Sequence, residues 1–284
     1  MANLEISRAK RLDQKVVELI PELSRAYGTK LIEEGKVTVN KEVQTKPGYK
    51  LREGDQVKVN FDLKELADIP EIKLDVLYED DDCIVINKPV GLLTHSKGQF
   101  NPEPTVETWL RSKTKVTGER AGIVHRLDRA TSGVMICAKT PEALKWLQRQ
   151  FSQRRTKKTY YAVVVGTPKQ PEAIIDMPLE RNPKAPATFR VHANGKSAVT
   201  AYKVMESGDK YALLELNPET GRTHQLRVHL SNLGHPIVGD TLYGGPEAKR
   251  MMLHAYRLEL TLPNRERHVF TVPVPKSFKA AVRG

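Results

Sequence analysis

Apolar and polar residues along this chain repeat with a period that changes from helical to extended and back. Between Arg11 and Ile20, apolar side chains recur at Leu12, Val16, Leu19 and Ile20, which is the spacing of one helical face, and Pro21 stops it. Ser24 is suited to cap a second helix running to Glu34, with Gly35 as its C′ residue. Val37-Thr38-Val39 then alternates as a short strand, Asn40-Lys41 forms a turn, and Gln56 to Val59 closes the set. These elements predict a module over residues 1–60. Residues 61–73 are charged, contain Pro70 and show little periodicity, and read as a linker.

A longer series fills residues 74–284. Leu74 to Glu79 and Cys83 to Ile86 read as strands around the acidic turn Asp80-Asp81-Asp82. Val134 to Ala138 is an unbroken apolar run, the signature of a buried strand. Thr140-Pro141-Glu142 starts a helix with a capping Thr and a Pro in its first turn, and Leu144, Leu147 and Phe151 mark its buried side. Strand patterns follow at Tyr160 to Gly166, through Leu179, at Phe189 to Val191, Ala198 to Met205 and Tyr211 to Leu216. Thr223 is placed to cap a helix whose apolar face is Leu226, Leu230 and Leu233 and which Gly234 closes. Leu253 to Ala255 and Phe270 to Val274 read as final strands.

Charge changes the picture. Lys and Arg number 46 against 34 Asp and Glu, a net charge of +12, which suggests a polyanionic partner. The excess is concentrated: Arg111 to Lys158 holds 13 basic and 3 acidic residues, whereas Phe61 to Asp82 holds 9 acidic residues and 2 lysines. The basic block surrounds one carboxylate, Asp128, set between Arg126 and Arg129. Such a surround attracts phosphates to the place where an acid could act.

Several chemistries lack their motifs. No HExxH or Cys/His cluster occurs, so no metal is expected. No glycine-rich nucleotide-binding loop occurs, so no cofactor is expected either. The triple Asp lacks the spacing of a calcium loop and reads as a solvated turn. Cys83 and Cys137 lie inside apolar runs and read as small core residues rather than a disulfide. No apolar run approaches the ~18 residues of a membrane span, so a soluble, cytoplasmic protein is expected.

The guanidinium groups of Arg126 and Arg129 should favour the ionised form of Asp128, which suits a nucleophile or base. A glycosidase would pair it with a second carboxylate, and no nearby acid fills that role. Taken alone, the Arg126–Asp128 pair reads as a structural ion pair and Tyr160 as a core residue.

Four ordered motifs carry a resemblance. They are Asn87-Lys88-Pro89-Val90-Gly91-Leu92, the stretch Gly122 to Gly133, Lys158-Thr159-Tyr160-Tyr161-Ala162, and Thr220 to His229. In this order they resemble the RluA family of pseudouridine synthases, most closely the RluD type that modifies large-subunit ribosomal RNA. The resemblance implies an α+β fold, with a mixed, mostly antiparallel sheet and flanking helices around an RNA cleft. It implies that Asp128 attacks the target uridine, so that the base detaches, rotates and rejoins through carbon without a cofactor. It implies further that Arg126 helps displace the flipped base, Tyr160 stacks on it, Arg227 pairs with Asp128, and Leu253 lines the base pocket. His125, His224, His229 and His254 are expected to have structural hydrogen-bonding roles.

The N-terminal module resembles the alpha-L RNA-binding domain shared by a small-subunit ribosomal protein and some tRNA synthetases. The matching residues are Arg11-Leu12-Asp13, Ser24-Arg25, Leu31 to Val37 and Val39-Asn40, with Lys41 where that family has Gly. The resemblance implies that Arg11, Arg25, Lys30 and Lys36 meet RNA phosphates, contacts that position RNA rather than read it. A monomer acting on ribosomal RNA, free or in an assembling subunit, is expected. Transfer RNA as substrate, a non-catalytic assembly factor, and a methyltransferase carrying the same module are the alternatives.

Overall fold

The computed structural model describes residues 10–21, 23, 25–61, 70–95, 103–118 and 120–284. The described residues fall into two compact units, one within Met1–Ile72 and His95–Thr105, the other within Lys73–Thr94 and Val106–Gly284.

In the first unit, helices α1 (Leu12–Leu19) and α2 (Arg25–Glu33) precede strands β1 (Val37–Val39), β2 (Glu42–Val43) and β3 (Val57–Val59). The strands form an antiparallel sheet in the order β2-β1-β3. Leu12 and Val16 of α1 are fully buried with Leu31, Ile32 and Val37, but Leu19, expected on the same face, is exposed. The expected cap Ser24 lies outside the described residues. Gly35 ends α2 at φ +73, as its spacing predicted. Asn40 and Lys41 both take positive φ, 53° and 73°, the pair of values a two-residue hairpin turn needs. Lys41 therefore adopts the left-handed conformation that glycine would take without strain. The Asn40 side chain braces the turn by accepting from Gln56 N at 2.9 Å and donating to Asp55 at 2.8 Å.

The second unit holds β4 (Asp75–Glu79), β5 (Cys83–Lys88), α3 (Val106–Leu110), β6 (Ser132–Ala138), α4 (Pro141–Ser152), β7 (Lys157–Val165), β8 (Glu172–Asp176), β9 (Leu179–Arg181), β10 (Phe189–Val191), β11 (Val199–Ser207), β12 (Tyr211–Pro218), α5 (Gln225–Asn232), β13 (Leu253–Thr261), β14 (Arg267–Thr271) and α6 (Lys276–Arg283). Among the described residues a nine-stranded sheet runs β4-β5-β6-β13-β7-β12-β11-β8, with β14 also paired to β13, and β9 and β10 form a separate hairpin. Every pairing in the large sheet is antiparallel except β6 with β13.

The apolar run of β6 is buried along its whole length, as its composition predicted. Its parallel partner enters close: Ser132 faces His254 and Gly133 faces Ala255. Gly133 sits at φ +117, and a Cβ there would lie 2.1 Å from the Ala255 carbonyl oxygen, so only glycine fits. Cys83 and Cys137 are buried on the adjacent strands β5 and β6, unpaired, as core residues.

Helix α4 starts as its sequence says it should. Thr140 Oγ1 accepts from Ala143 N at 3.2 Å and Pro141 fills the first turn. Leu147 is fully buried beneath it, and truncation to Ala would cost about 2–5 kcal/mol. The helix ends with Arg155 N donating to Gln150 O at 2.9 Å while Arg154 turns left-handed at φ 56°. Glycine ordinarily occupies that position, and another side chain there costs about 1 kcal/mol.

Candidate active site

Residues remote in sequence meet at one open cleft of the second unit, about 630 Å³ counting the space open to solvent. Arg126, Asp128, Tyr160, Arg227 and Leu253 all line it, so the structure brings together the five residues the resemblance singled out in this part of the chain. Arg11, Arg25, Lys30 and Lys36 belong to the other unit.

The loop ahead of β6 presents Asp128 on fixed backbone. Leu127, the residue before it, donates its N–H to Thr94 Oγ1 at 3.2 Å and accepts the Thr94 hydroxyl at 2.7 Å. Thr131 N closes the turn on Asp128 O at 3.0 Å, and Arg129 O accepts from Gly91 N at 2.8 Å. Lys88, at the end of β5, is fully buried. Its ammonium donates to the carbonyls of Leu92 at 2.7 Å and Pro89 at 2.9 Å, and reaches that of Arg129 at 3.5 Å. Burial pushes the Lys88 amine down to about 8, with the Asp128 charge pulling the other way. The Asn87–Leu92 turn and the Asp128 loop are thus tied together beneath the carboxylate.

Above it comes Arg227 from α5. Its Nη1 lies 3.3 Å from Asp128 Oδ2, while Nε and Nη2 each donate to Asp240 at 2.7 Å. Burial works against the charged guanidinium, but Asp240 and then Asp128 outweigh it and raise its pKa. The Tyr243 ring lies under the guanidinium, 4.9 Å from its carbon. Among the described residues Arg227 hydrogen-bonds Asp128, the pairing the resemblance implied. Arg126 is exposed at the cleft wall.

His224 stands nearer to Asp128 than a structural role requires, with Nε2 3.8 Å from Oδ2. Its Nδ1 meets the Tyr243 hydroxyl at 2.7 Å, and that oxygen accepts from Phe189 N at 2.9 Å. The network is balanced when the phenol donates to Nδ1, which puts the imidazole proton on Nε2, facing Asp128. Burial lowers the His224 pKa although Asp128 opposes this, so the ring is neutral near pH 7.

Tyr160 is half-buried on β7 and pairs with Ala255 of β13, two residues beyond the buried Leu253. Burial, reinforced by the Asp128 charge, raises its pKa, so its hydroxyl stays protonated and can donate. Lys158, two residues earlier, donates to Thr220 O at 3.2 Å, and burial pushes its amine down to about 8.

Helix α5 starts differently from expectation. Thr223 is not the cap: His224 precedes the helix in the left-handed conformation at φ 57°, without a side-chain cap. The Gln225 side chain organises the turn instead. Its Oε1 accepts from Thr220 at 2.7 Å and Arg222 N at 3.0 Å, and its amide donates to Val199 O at 2.9 Å. The strained His224 backbone places its ring over the cleft. His229 and His254 are hydrogen-bonded in the core as expected, and His125 accepts from Ile136 N at 3.2 Å.

Sequence reasoning missed Asp240 and Tyr243. The signal available was an acid after Gly239, followed by Thr241 to Gly245, and it reads as an ordinary exit loop. In the first unit, Arg11 and Arg25 both grip the buried Asp13, at 3.0 and 2.9 Å. Burial would raise the Asp13 pKa, and the two guanidinium groups outweigh it and hold it below the ordinary carboxylate range.

Comparison with known proteins bears on the family and the fold. A family model described as RNA pseudouridylate synthase covers residues 82–232, and an S4 domain model covers residues 10–57. The chain belongs to the RNA pseudouridine synthase family, with an S4 domain at its N-terminal side. Among individual relatives, it is 39% identical to an uncharacterized RNA pseudouridine synthase of Aquifex aeolicus, over 95% of this chain and 92% of that one. It is 41% identical to ribosomal large subunit pseudouridine synthase D of Escherichia coli K12, over 83% of this chain and 73% of that one. The structure superposes on human RNA pseudouridylate synthase domain containing 1 with a TM-score of 0.60 and 30% identity, covering 71% of this chain and 83% of that chain. The mixed, mostly antiparallel sheet with flanking helices is the fold the motifs implied.

Proposed function

We propose that this enzyme isomerises uridine in large-subunit ribosomal RNA, with Asp128 as the attacking group. One observation carries the assignment of Asp128. Its carboxylate lines the cleft with Tyr160 and Leu253, and Arg227 meets it from a helix 99 residues away. The uridine is flipped out of the RNA and its base enters the cleft, stacking on Tyr160 beside Leu253, while Arg126 occupies the gap left behind. Asp128 attacks and the bond from ribose to the base nitrogen breaks; the base turns, its carbon bonds the ribose as the carboxylate is released, and the proton lost from that carbon is matched by one gained at the freed nitrogen. Arg227 fixes the carboxylate throughout, and the Tyr160 hydroxyl takes part in the proton transfer. The protein is a cytoplasmic monomer on this reading.

Ribosomal RNA is favoured by the name of the E. coli relative, and phosphate binding by the S4 domain and the +12 charge. No helix among the described residues is long and apolar enough to cross a membrane. The test is to map pseudouridines in ribosomal and transfer RNA from cells carrying the natural gene or Asp128→Asn. Loss of particular ribosomal pseudouridines in the variant is expected. Marks confined to transfer RNA would overturn the substrate, and unchanged marks would overturn the role of Asp128.

A further inference from the structure

Beside the site opens a second, larger cleft of about 1090 Å³. It shares Arg126, Lys158, Tyr160 and the Thr220-Gly221-Arg222 turn with the first, then continues along α4 past Gln148, Phe151 and Ser152 to Arg154. Those three helical residues are spaced i, i+3 and i+4 and so face one way. Four cations border this space, Arg126, Arg154, Lys158 and Arg222, against one carboxylate, Glu219. Among the described residues, Arg126, Arg154 and Arg222 have no carboxylate within ion-pairing distance. The flipped uridine occupies the first cleft and leaves this cationic extension unused.

The backbone supplies a second observation. Arg154 is exposed and holds the left-handed conformation in which glycine is favoured. An arginine at such a position opposes local stability, and the side chain it places borders the cleft. Lys158 likewise meets a carbonyl oxygen, that of Thr220, and Arg222 Nε that of Ser197, and neither is paired with a carboxylate among the described residues. An anion would complete these groups. Because a flipped nucleotide stays joined to its neighbours, the next phosphate must leave the first cleft close to the wall the two clefts share.

We propose that the extension is a subsite for the nucleotide adjoining the target uridine, with its phosphodiester held by Arg154 and Arg222 and its base lying against Gln148 and Phe151. Guanidinium groups suit a phosphate because they can donate two parallel hydrogen bonds. A glutamine amide beside an aromatic ring suits the edge and face of an unstacked base. The proposal rests on the RNA-isomerase reading and adds to it a preference for the neighbouring nucleotide.

The test uses the full-length enzyme and an RNA fragment containing a mapped target uridine, with either flanking linkage replaced singly by an uncharged methylphosphonate. Arg154→Gln is expected to weaken binding by about tenfold, the effect of one charge-assisted contact, with kcat at saturation retained. The slope of log affinity against log salt should fall by about one. At one of the two linkages, the uncharged replacement should cost the natural enzyme the same factor and cost Arg154→Gln almost nothing. Arg154→Gly relaxes the backbone, so its Tm should hold or rise while binding still weakens, which separates contact from folding. Unchanged affinity in Arg154→Gln, or penalties that simply multiply at both linkages, would sink the subsite while leaving the isomerase reading intact. A natural enzyme that isomerises no uridine in any ribosomal or transfer RNA would sink both.

Discussion

Asp240 takes two nitrogens of the Arg227 guanidinium at 2.7 Å each and leaves the third for Asp128 at 3.3 Å. The shorter, paired bonds make Asp240 the anchor and Asp128 the recipient. Asp240 is 2% exposed and Arg227 8%, so the pair is dry and its geometry is held. The arginine is therefore a spacer of fixed length between a buried acid and the acid that lines the cleft. Asp240→Asn should destabilise the fold by roughly 3 kcal/mol, because it leaves a buried guanidinium half-compensated. Arg227→Lys should lose roughly a hundredfold in kcat, since one ammonium cannot span both carboxylates. Thermal melts and single-turnover isomerisation check the two outcomes, and a lysine variant with natural kcat would refute the spacer.

Tyr160 combines a ring that can stack with a hydroxyl that stays protonated. Tyr160→Phe keeps the ring and should bind RNA within about threefold of the natural enzyme while kcat falls by at least roughly tenfold. Tyr160→Leu should lose affinity as well. Equal kcat in the Phe variant would assign the residue to stacking alone.

Two buried histidines predict acid sensitivity. His229 Nε2 faces Met177 O at 3.0 Å, so it carries the proton, and Nδ1 accepts from Thr200 at 3.0 Å. His254 is arranged alike, with Nε2 facing Val272 O at 3.1 Å and Nδ1 meeting Ser132 at 2.8 Å. Burial lowers both pKa values from the ordinary 6.5. Below that value the unfolded chain takes up protons that the folded chain refuses. Stability is thus full above about pH 6.5 and should fall, at up to about 1.4 kcal/mol per pH unit for each histidine, as pH drops toward the lowered folded-state pKa values. Urea midpoints at pH 7.5 and 5 test this, and His229→Asn should roughly halve the slope. A flat profile would mean that the rings protonate without penalty.

Gly133→Ala tests the closeness of β6 and β13. The added methyl would meet the Ala255 carbonyl in a conformation that alanine disfavours. A loss of about 3 kcal/mol, or roughly 10 °C in Tm, is expected. A variant as stable as the natural protein would show that the strands can separate freely.

Local chemistry made much of the fold legible. Thr140-Pro141 fixed the start of α4, the five apolar residues Val134 to Ala138 announced β6, and Asn40-Lys41 marked its hairpin. What failed depended on side chains acting across space. Thr223 reads as a cap because threonine caps helices, but the Gln225 amide already satisfies the turn. Helices α3 and α6 were not anticipated; α3 is only five residues long, too short for periodicity to show. At the site, Asp128, Tyr160 and Arg227 were legible through motif resemblance, since nothing local links residues 99 positions apart. Asp240 carries no such motif, and only the folded loop shows that it backs Arg227.

The parallel contact of β6 with β13 also sets a timetable. Ser132 and His254 are 122 positions apart, and Asp128 lies just ahead of the first. During synthesis the carboxylate and its loop emerge well before Arg227, Asp240 and Leu253. Over that interval the basic block around Asp128 is already made, but the cleft lacks the walls that Arg227 and Leu253 supply. The cleft is therefore complete only once the strand beginning at Leu253 has been made and paired with β6.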